Sequence, residues 1–180
     1  GLPFVVDQSA IAGLAPWLIS TKPMFLSNAK FDRHMLANMG YILNGLWYDV
    51  VTADVLVDEN NLHGLKPQSK RYLDYALHAL LNEEQNTMYL YAEHHDEFMA
   101  YAAEDALTTY GVAAVTHDLL KEEPWFGESN ILEYFLKFVM PFQLTIWKME
   151  RRGIKLHQGK LKKLVDYLTE KQAEVEADIY

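Results

Sequence analysis

Met24-Phe25-Leu26-Ser27-Asn28-Ala29-Lys30-Phe31-Asp32 is the stretch on which the fold turns. Three apolar residues, bounded by Lys22-Pro23 and Ser27-Asn28, predict a short buried strand. Helical spacing then runs from about Ala29 to Asn38, and Gly40 stands where a C′ glycine ends a helix. A strand feeding straight into a helix, with Asp32 in the helix's first turn, belongs to an α/β layer.

Working outward, Leu2 to Val6 reads as another strand. Asp7 or Ser9 then caps a helix to about Ile19, with Ala10, Ile11, Leu14 and Leu18 on its buried face and Pro16 as an imperfection. On the other side, Leu46 to Val50 predicts a third strand, and Thr52 to Val57 has short helical spacing. Asn60 to Gly64 is a loop. A helix restarts at Leu65 and runs to about Leu81, the pattern breaks over Asn82 to Thr87, and a long helix spans about Met88 to Leu120, divisible near His94-His95. Strands alternate with helices early and only helices come later, so the fold class is α/β with a helical C-terminal extension.

Glu123-Pro124-Trp125-Phe126-Gly127 is a linker by composition, and Ser129 or Asn130 caps the next helix. Ile131, Tyr134, Phe135, Phe138, Phe142, Ile146 and Met149 keep helical spacing past a kink at Pro141, and Arg151-Arg152-Gly153 ends the rod. Residues 160–179 form a last helix, apolar at Leu161, Leu164, Leu168, Val175 and Ile179, whose near-heptad spacing expects a partner helix. The boundary falls at the linker, giving domains 1–123 and 124–180. Both ends read as cut from a longer chain.

Half of the 180 residues are hydrophobic, enough for a sizeable core, and no apolar run approaches the length of a membrane span. The absence of cysteine excludes disulfides, thiol nucleophiles and Cys-ligated zinc. The net charge of −9 is uneven: residues 1–147 carry −11 and residues 148–180 carry +2. An acidic body argues against broad phosphate-backbone binding and suits a carboxylate pocket that collects divalent cations and admits one strand end. The basic tail, with Lys148, Arg151, Arg152, Lys155, Lys160, Lys162 and Lys163, is the better candidate for touching a backbone, or else a solvated helix face.

Asp32 has a counterpart in Tyr101-Ala102-Ala103-Glu104-Asp105, where a phenol and a carboxylate four residues apart share a helix face. Hydrolysis of a phosphodiester pits a poor nucleophile against an anion. Two divalent ions solve this by generating hydroxide and stabilising the leaving oxygen, and such ions need carboxylates converging from separate elements. Asp32 and Asp105 suit that task, and Tyr101 can aim its hydroxyl at the attacking water.

Asn28-Ala29-Lys30-Phe31-Asp32 and Tyr101 to Asp105 resemble the second and third motifs, N-x(2–3)-[FY]-D and Y-x(3)-D, of the proofreading 3′–5′ exonucleases. Between them lie Trp47-Tyr48-Asp49-Val50-Val51-Thr52-Ala53, Asp58-Glu59-Asn60 and His63-Gly64-Leu65-Lys66. After them comes Pro141-Phe142-Gln143-Leu144-Thr145-Ile146-Trp147-Lys148-Met149-Glu150-Arg151-Arg152-Gly153-Ile154. In order and spacing these resemble family A DNA polymerases of the DNA polymerase I type, and the last passage matches the one leading from exonuclease to thumb.

The resemblance implies a ribonuclease H-like 3′–5′ exonuclease fold truncated at its N-terminal strands, followed by the connection to a polymerase thumb. It implies Asp32 and Asp105 as ligands of two Mg²⁺ or Mn²⁺ ions, Tyr101 as the orienter of water, and Asn28 and Lys30 as substrate-binding residues at the 3′-terminal nucleotide. The implied partners are a single-stranded DNA 3′ end and the rest of a polymerase, in the cytoplasm of a cell or of a phage's host. The first motif, D-x-E, has no counterpart: Asp7-Gln8-Ser9 has serine in place of glutamate and lies too close to Asp32. The expected activity is therefore weak or nil, and the cut sheet edge or the 160–179 helix is expected to self-associate. The rival reading is a non-catalytic structural or DNA-positioning domain of the same fold; a free-standing ribonuclease is a third. Glu93-His94-His95-Asp96-Glu97 and His63 are expected to be surface, loop or cap residues, and Asp49, Asp54, Asp58 and Glu59 solvated helix-end residues. Trp17, Trp47 and Trp147 are expected in the core.

Overall fold

A computed structural model describes residue 5 and residues 8–45, 47–77 and 93–179. The strand expected over Leu2 to Val6 and the break over Asn82 to Thr87 lie outside the described residues. The chain forms two compact units, Gly1–Trp147 and Lys148–Tyr180.

The first unit is built on two parallel strands, β1 (Met24–Leu26) and β2 (Trp47–Asp49), in register Met24↔Trp47, Phe25↔Tyr48 and Leu26↔Asp49. Parallel neighbours need a crossover. Here it is a helix, Ala29–Asn38, which follows an opening helix, Ile11–Leu18; these are α2 and α1. Gly40, at φ +85, takes the left-handed turn that ends α2. Gly45, just before β2, allows a close backbone approach: a Cβ there would collide with the Lys22 carbonyl oxygen.

Beyond β2 come α3 (Val50–Val57), α4 (Leu65–Leu73) and α5 (His95–Glu122). Asp74, left-handed at φ 49, stops α4 well short of Leu81. His94, at φ −128, lies just outside α5 and marks the division expected there. The 28 residues of α5 pack against β1, α3 and α4. Its buried stripe of Thr108, Val112, Thr116 and Leu120 repeats every four residues, the helical period that keeps one face inward. The core joins that stripe to Met24, Tyr48, Val50 and Ala53. Tyr48 brings its hydroxyl to Thr116 Oγ1 at 3.2 Å and its ring edge-on to Phe135 at 4.8 Å.

The linker folds back through a bridge between Pro124 and Asn130, and the Asn130 side chain caps α6 (Ile131–Tyr134) by accepting from Glu133 N. The rod continues as a π-helical turn, Phe135–Val139, and then α7 (Met140–Arg152). The kink expected at Pro141 is thus taken up before the proline. Pro141 has no N–H for the Lys137 carbonyl and its ring would crowd it, so the register widens, with Met140 N–H donating to Phe135 O. The wider turn keeps Phe135 and Met140, five residues apart, both buried.

In the second unit, α8 (Gln158–Ile179) follows His157, whose Nδ1 accepts from Lys160 N at 3.2 Å. All described residues of α8 are exposed, including the apolar row Leu161, Leu164 and Leu168. A 3₁₀ turn, Gln8–Ala10, leads into α1, so the N-cap position of α1 falls on Ala10 rather than on Ser9, and Ala10 is exposed rather than on the buried face.

Candidate functional site

Asp49 closes β2 and caps α3, so its carboxylate sits where two helices begin. Oδ1 accepts from Val51 N at 3.1 Å and from Asn28 N at 3.0 Å; Oδ2 accepts from Ala29 N at 3.2 Å and Thr52 Oγ1 at 3.2 Å. Gln143 Nε2, from α7, reaches Oδ2 at 3.5 Å and also donates to Thr52 Oγ1. The residue is 3% exposed, so its expectation as a solvated helix-end residue is wrong. Five backbone or side-chain partners and two helix N-terminal dipoles compensate a charge that water would otherwise hold. Burial pushes its pKa up and the hydrogen bonds from Val51 and Asn28 oppose the rise. The usable signal was local: Asp49 interrupts an apolar run, Trp47-Tyr48 before it and Val50-Val51 after it.

Asn28, at the N-cap of α2, is left-handed at φ 61, ψ 51, a conformation that asparagine tolerates better than most residues. Its side chain makes no cap hydrogen bond. Asn28 and Lys30 line a cleft of about 230 Å³ together with Asp49, Thr52, Gln143 and Ile146. Asp32, in the first turn of α2, is part-buried, and its pKa is raised from 3.8 to about 6, first by burial and then by the charge of Asp49. Burial and the neighbouring Asp49 charge thus both oppose ionisation of Asp32.

Tyr101 and Asp105 meet on α5. Phenol and carboxylate are near enough to act on each other's titration, and both groups are half-buried. Burial raises the Asp105 pKa most; the Tyr101 hydroxyl lowers it, the Glu104 charge raises it and Lys66 lowers it. The charge acting on Asp32 is that of Asp49, whereas those acting on Asp105 are Glu104 and Lys66. The structure brings Tyr101 to Asp105 and Asn28 to Asp49; among the described hydrogen bonds none joins Asp32 to Asp105. Aspartates are the right hard oxygen donors for Mg²⁺ or Mn²⁺. Among the described residues, however, no three His, Cys, Asp or Glu side chains are gathered as a metal site, so these residues alone do not complete one.

Asp54 is a second correction. It is fully buried rather than solvated and accepts from Arg71 Nη1 at 2.7 Å and Tyr72 OH at 2.5 Å, while His63 Nδ1 lies 2.7 Å away. His63 stands in the loop, as expected, and there partners a buried carboxylate. The cluster pins α3 to α4 and the loop between them. Asp58 and Glu59 are exposed, as expected. His94 pairs with Glu97 at 3.6 Å. Trp17 is 48% exposed, against its expected place in the core; Trp147 is part-buried with Arg33 5.1 Å over its ring, and the side chain of Trp47 lies outside the described residues.

A family model described as 3′–5′ exonuclease, of the DNA polymerase A type, matches residues 3–122. DNA polymerase I of Synechocystis sp. is 28% identical over 164 residues, covering 88% of this chain and 16% of that protein. DNA polymerase I of Chloroflexus aurantiacus is 28% identical over 183 residues, covering 94% of this chain and 18% of that protein. The chain thus spans less than a fifth of the length of the curated relatives it matches.

Proposed function

The chain belongs to the 3′–5′ exonuclease family of the DNA polymerase A type, and from that premise we propose that it is the proofreading part of a DNA-dependent DNA polymerase. Residues 1–123 form the exonuclease domain, of ribonuclease H-like ancestry, and residues 124–180 the connection to a thumb. The substrate is the 3′-terminal nucleotide of single-stranded DNA, released as a 5′-monophosphate. The observation that carries the reading is the placement of Tyr101 and Asp105, the two side chains that Y-x(3)-D supplies, one turn apart on α5 and near enough to act on each other's titration.

In this reading Asp32 and Asp105 are carboxylate ligands for Mg²⁺ or Mn²⁺, joined by a further acidic residue beyond those described. Bound divalent ions supply a hydroxide nucleophile and neutralise the phosphate. The chain's own residues orient the parts: Tyr101, one turn from Asp105 on α5, aims its hydroxyl at the incoming water, and Asn28 and Lys30, in the lining of the cleft, hold the terminal nucleotide. The lack of a three-ligand cluster among the described residues favours, as a second reading, a DNA-positioning domain with weak or absent hydrolysis.

The test is binding of a 3′-labelled single-stranded oligonucleotide by the full chain, with and without Mn²⁺. The exonuclease reading expects Mn²⁺-dependent binding that is lost on Asp32→Ala or Asp105→Ala, with slow product release. Binding indifferent to Mn²⁺ and to both substitutions supports the positioning role and overturns the nuclease assignment.

A further inference from the structure

The N-terminus of α2 carries the motif Asn28 to Asp32 yet has no cap of its own. Asn28 occupies the N-cap position in a left-handed conformation and its side chain caps nothing. The acceptors come instead from a residue 21 positions away in sequence, Asp49, which takes the N–H groups of both Asn28 and Ala29. An unfavourable backbone conformation persists where its surroundings over-determine it, and here both oxygens of a 3% exposed carboxylate do so.

Gln143 extends the arrangement to α7. Its Nε2 faces Thr52 Oγ1 and the Asp49 carboxylate, while its Oε1 is buried without a hydrogen-bond partner among the described residues. A flipped amide would turn Oε1 against the carboxylate, so acceptor chemistry fixes which way Gln143 points. One side chain of the rod is thus committed to the pair that holds the motif.

Resting on the exonuclease reading above, we propose that Asp49 is a positioning residue for the site: it sets where Asn28 and Asp32 stand, and Gln143 ties that setting to α7. In this arrangement Asp49 acts through the backbone of α2, whose Asn28 and Ala29 N–H groups it accepts. Asp54 provides the contrast. It is as deeply buried and as fully hydrogen-bonded, but its partners His63, Arg71 and Tyr72 lie in α4 and the loop before it, outside the motif.

Three single substitutions in the full chain test this: Asp49→Asn, Gln143→Leu and, as the matched control, Asp54→Asn. Each is measured at a temperature where circular dichroism shows it folded. Amide hydrogen exchange is read at Asn28 and Ala29, and binding of dTMP in the presence of Mn²⁺ is measured by calorimetry. Asp49→Asn is expected to speed exchange and to weaken Mn²⁺-dependent dTMP binding by about tenfold or more each, the scale typical of residues that orient a ligand set. Gln143→Leu changes both in the same direction by a smaller factor, and carries the test if Asp49→Asn does not fold. Asp54→Asn lowers Tm and leaves both readings unchanged. Unaltered exchange at Asn28 and Ala29 in both Asp49→Asn and Gln143→Leu overturns the proposal, as does an equal loss of binding in Asp54→Asn. A parent chain that binds no dTMP with Mn²⁺ overturns the exonuclease reading instead, and the exchange rates still decide whether Asp49 holds the motif.

Discussion

Replacing Asp32 by asparagine should make the protein more stable above neutrality. The Asp32 carboxyl titrates at about 6 in the fold against 3.8 ordinarily, because burial and the Asp49 charge both oppose its ionisation. Below pH 3.8 the group is protonated whether the chain is folded or not. Between 3.8 and about 6 the folded state keeps a proton that the unfolded chain releases, so stability falls as pH rises through that window and stays reduced above it. At about 1.4 kcal/mol per pKa unit the full gap corresponds to about 3 kcal/mol, which residual solvent contact cuts to about 1–2 kcal/mol. An amide at this position carries no such cost, so Asp32→Asn should raise Tm by about 3–6 °C at pH 8 and by almost nothing at pH 4. Thermal melts of both proteins from pH 4 to pH 8 read this directly. Adding Mn²⁺ at pH 8 should then raise the Tm of the parent and leave that of Asp32→Asn unmoved, since a cation relieves the repulsion that the substitution removes. Equal or lower stability of Asp32→Asn across the whole range would refute the argument.

Asp54→Ala should cost about 3–5 kcal/mol by urea unfolding, because it strands Arg71 and the hydroxyl of Tyr72 against a buried void. Gly45→Ala should destabilise by about 1–3 kcal/mol, since its Cβ would run into the Lys22 carbonyl; the same melts report it. Phe135→Ala, which removes a fully buried ring packed on Tyr48, should cost about 3–5 kcal/mol in denaturant titration. Tyr101→Phe should leave Tm and Mn²⁺-dependent oligonucleotide binding within error while lowering the rate of nucleotide release; loss of binding would assign the phenol to holding substrate rather than orienting water.

The motif-bearing elements were legible in sequence because their signals are local. Met24–Leu26 is bounded by turn residues, α2 starts after Asn28 and ends before Gly40, and Tyr101 and Asp105 stand one helical turn apart on any helix. Family membership, too, was readable, since order and spacing along the chain carry it. Less legible were α4, cut short by a left-handed Asp74, and the rod through Pro141, where a π-turn before the proline replaced a kink at it. In both, helical periodicity continues past a point where backbone geometry does not.

What the chain determined by itself was thus its pattern: which stretches are strand or helix, and which acidic and phenolic side chains share a helix face. Tertiary structure alone decided what each carboxylate does. Asp49 and Asp54 look alike as acidic residues near the ends of a short helix, yet both are buried, one holding the start of α2 and the other pinning α4. The reason is physical: a charge can leave water only where donors from several distant segments converge on it, and that convergence exists only once the chain has folded.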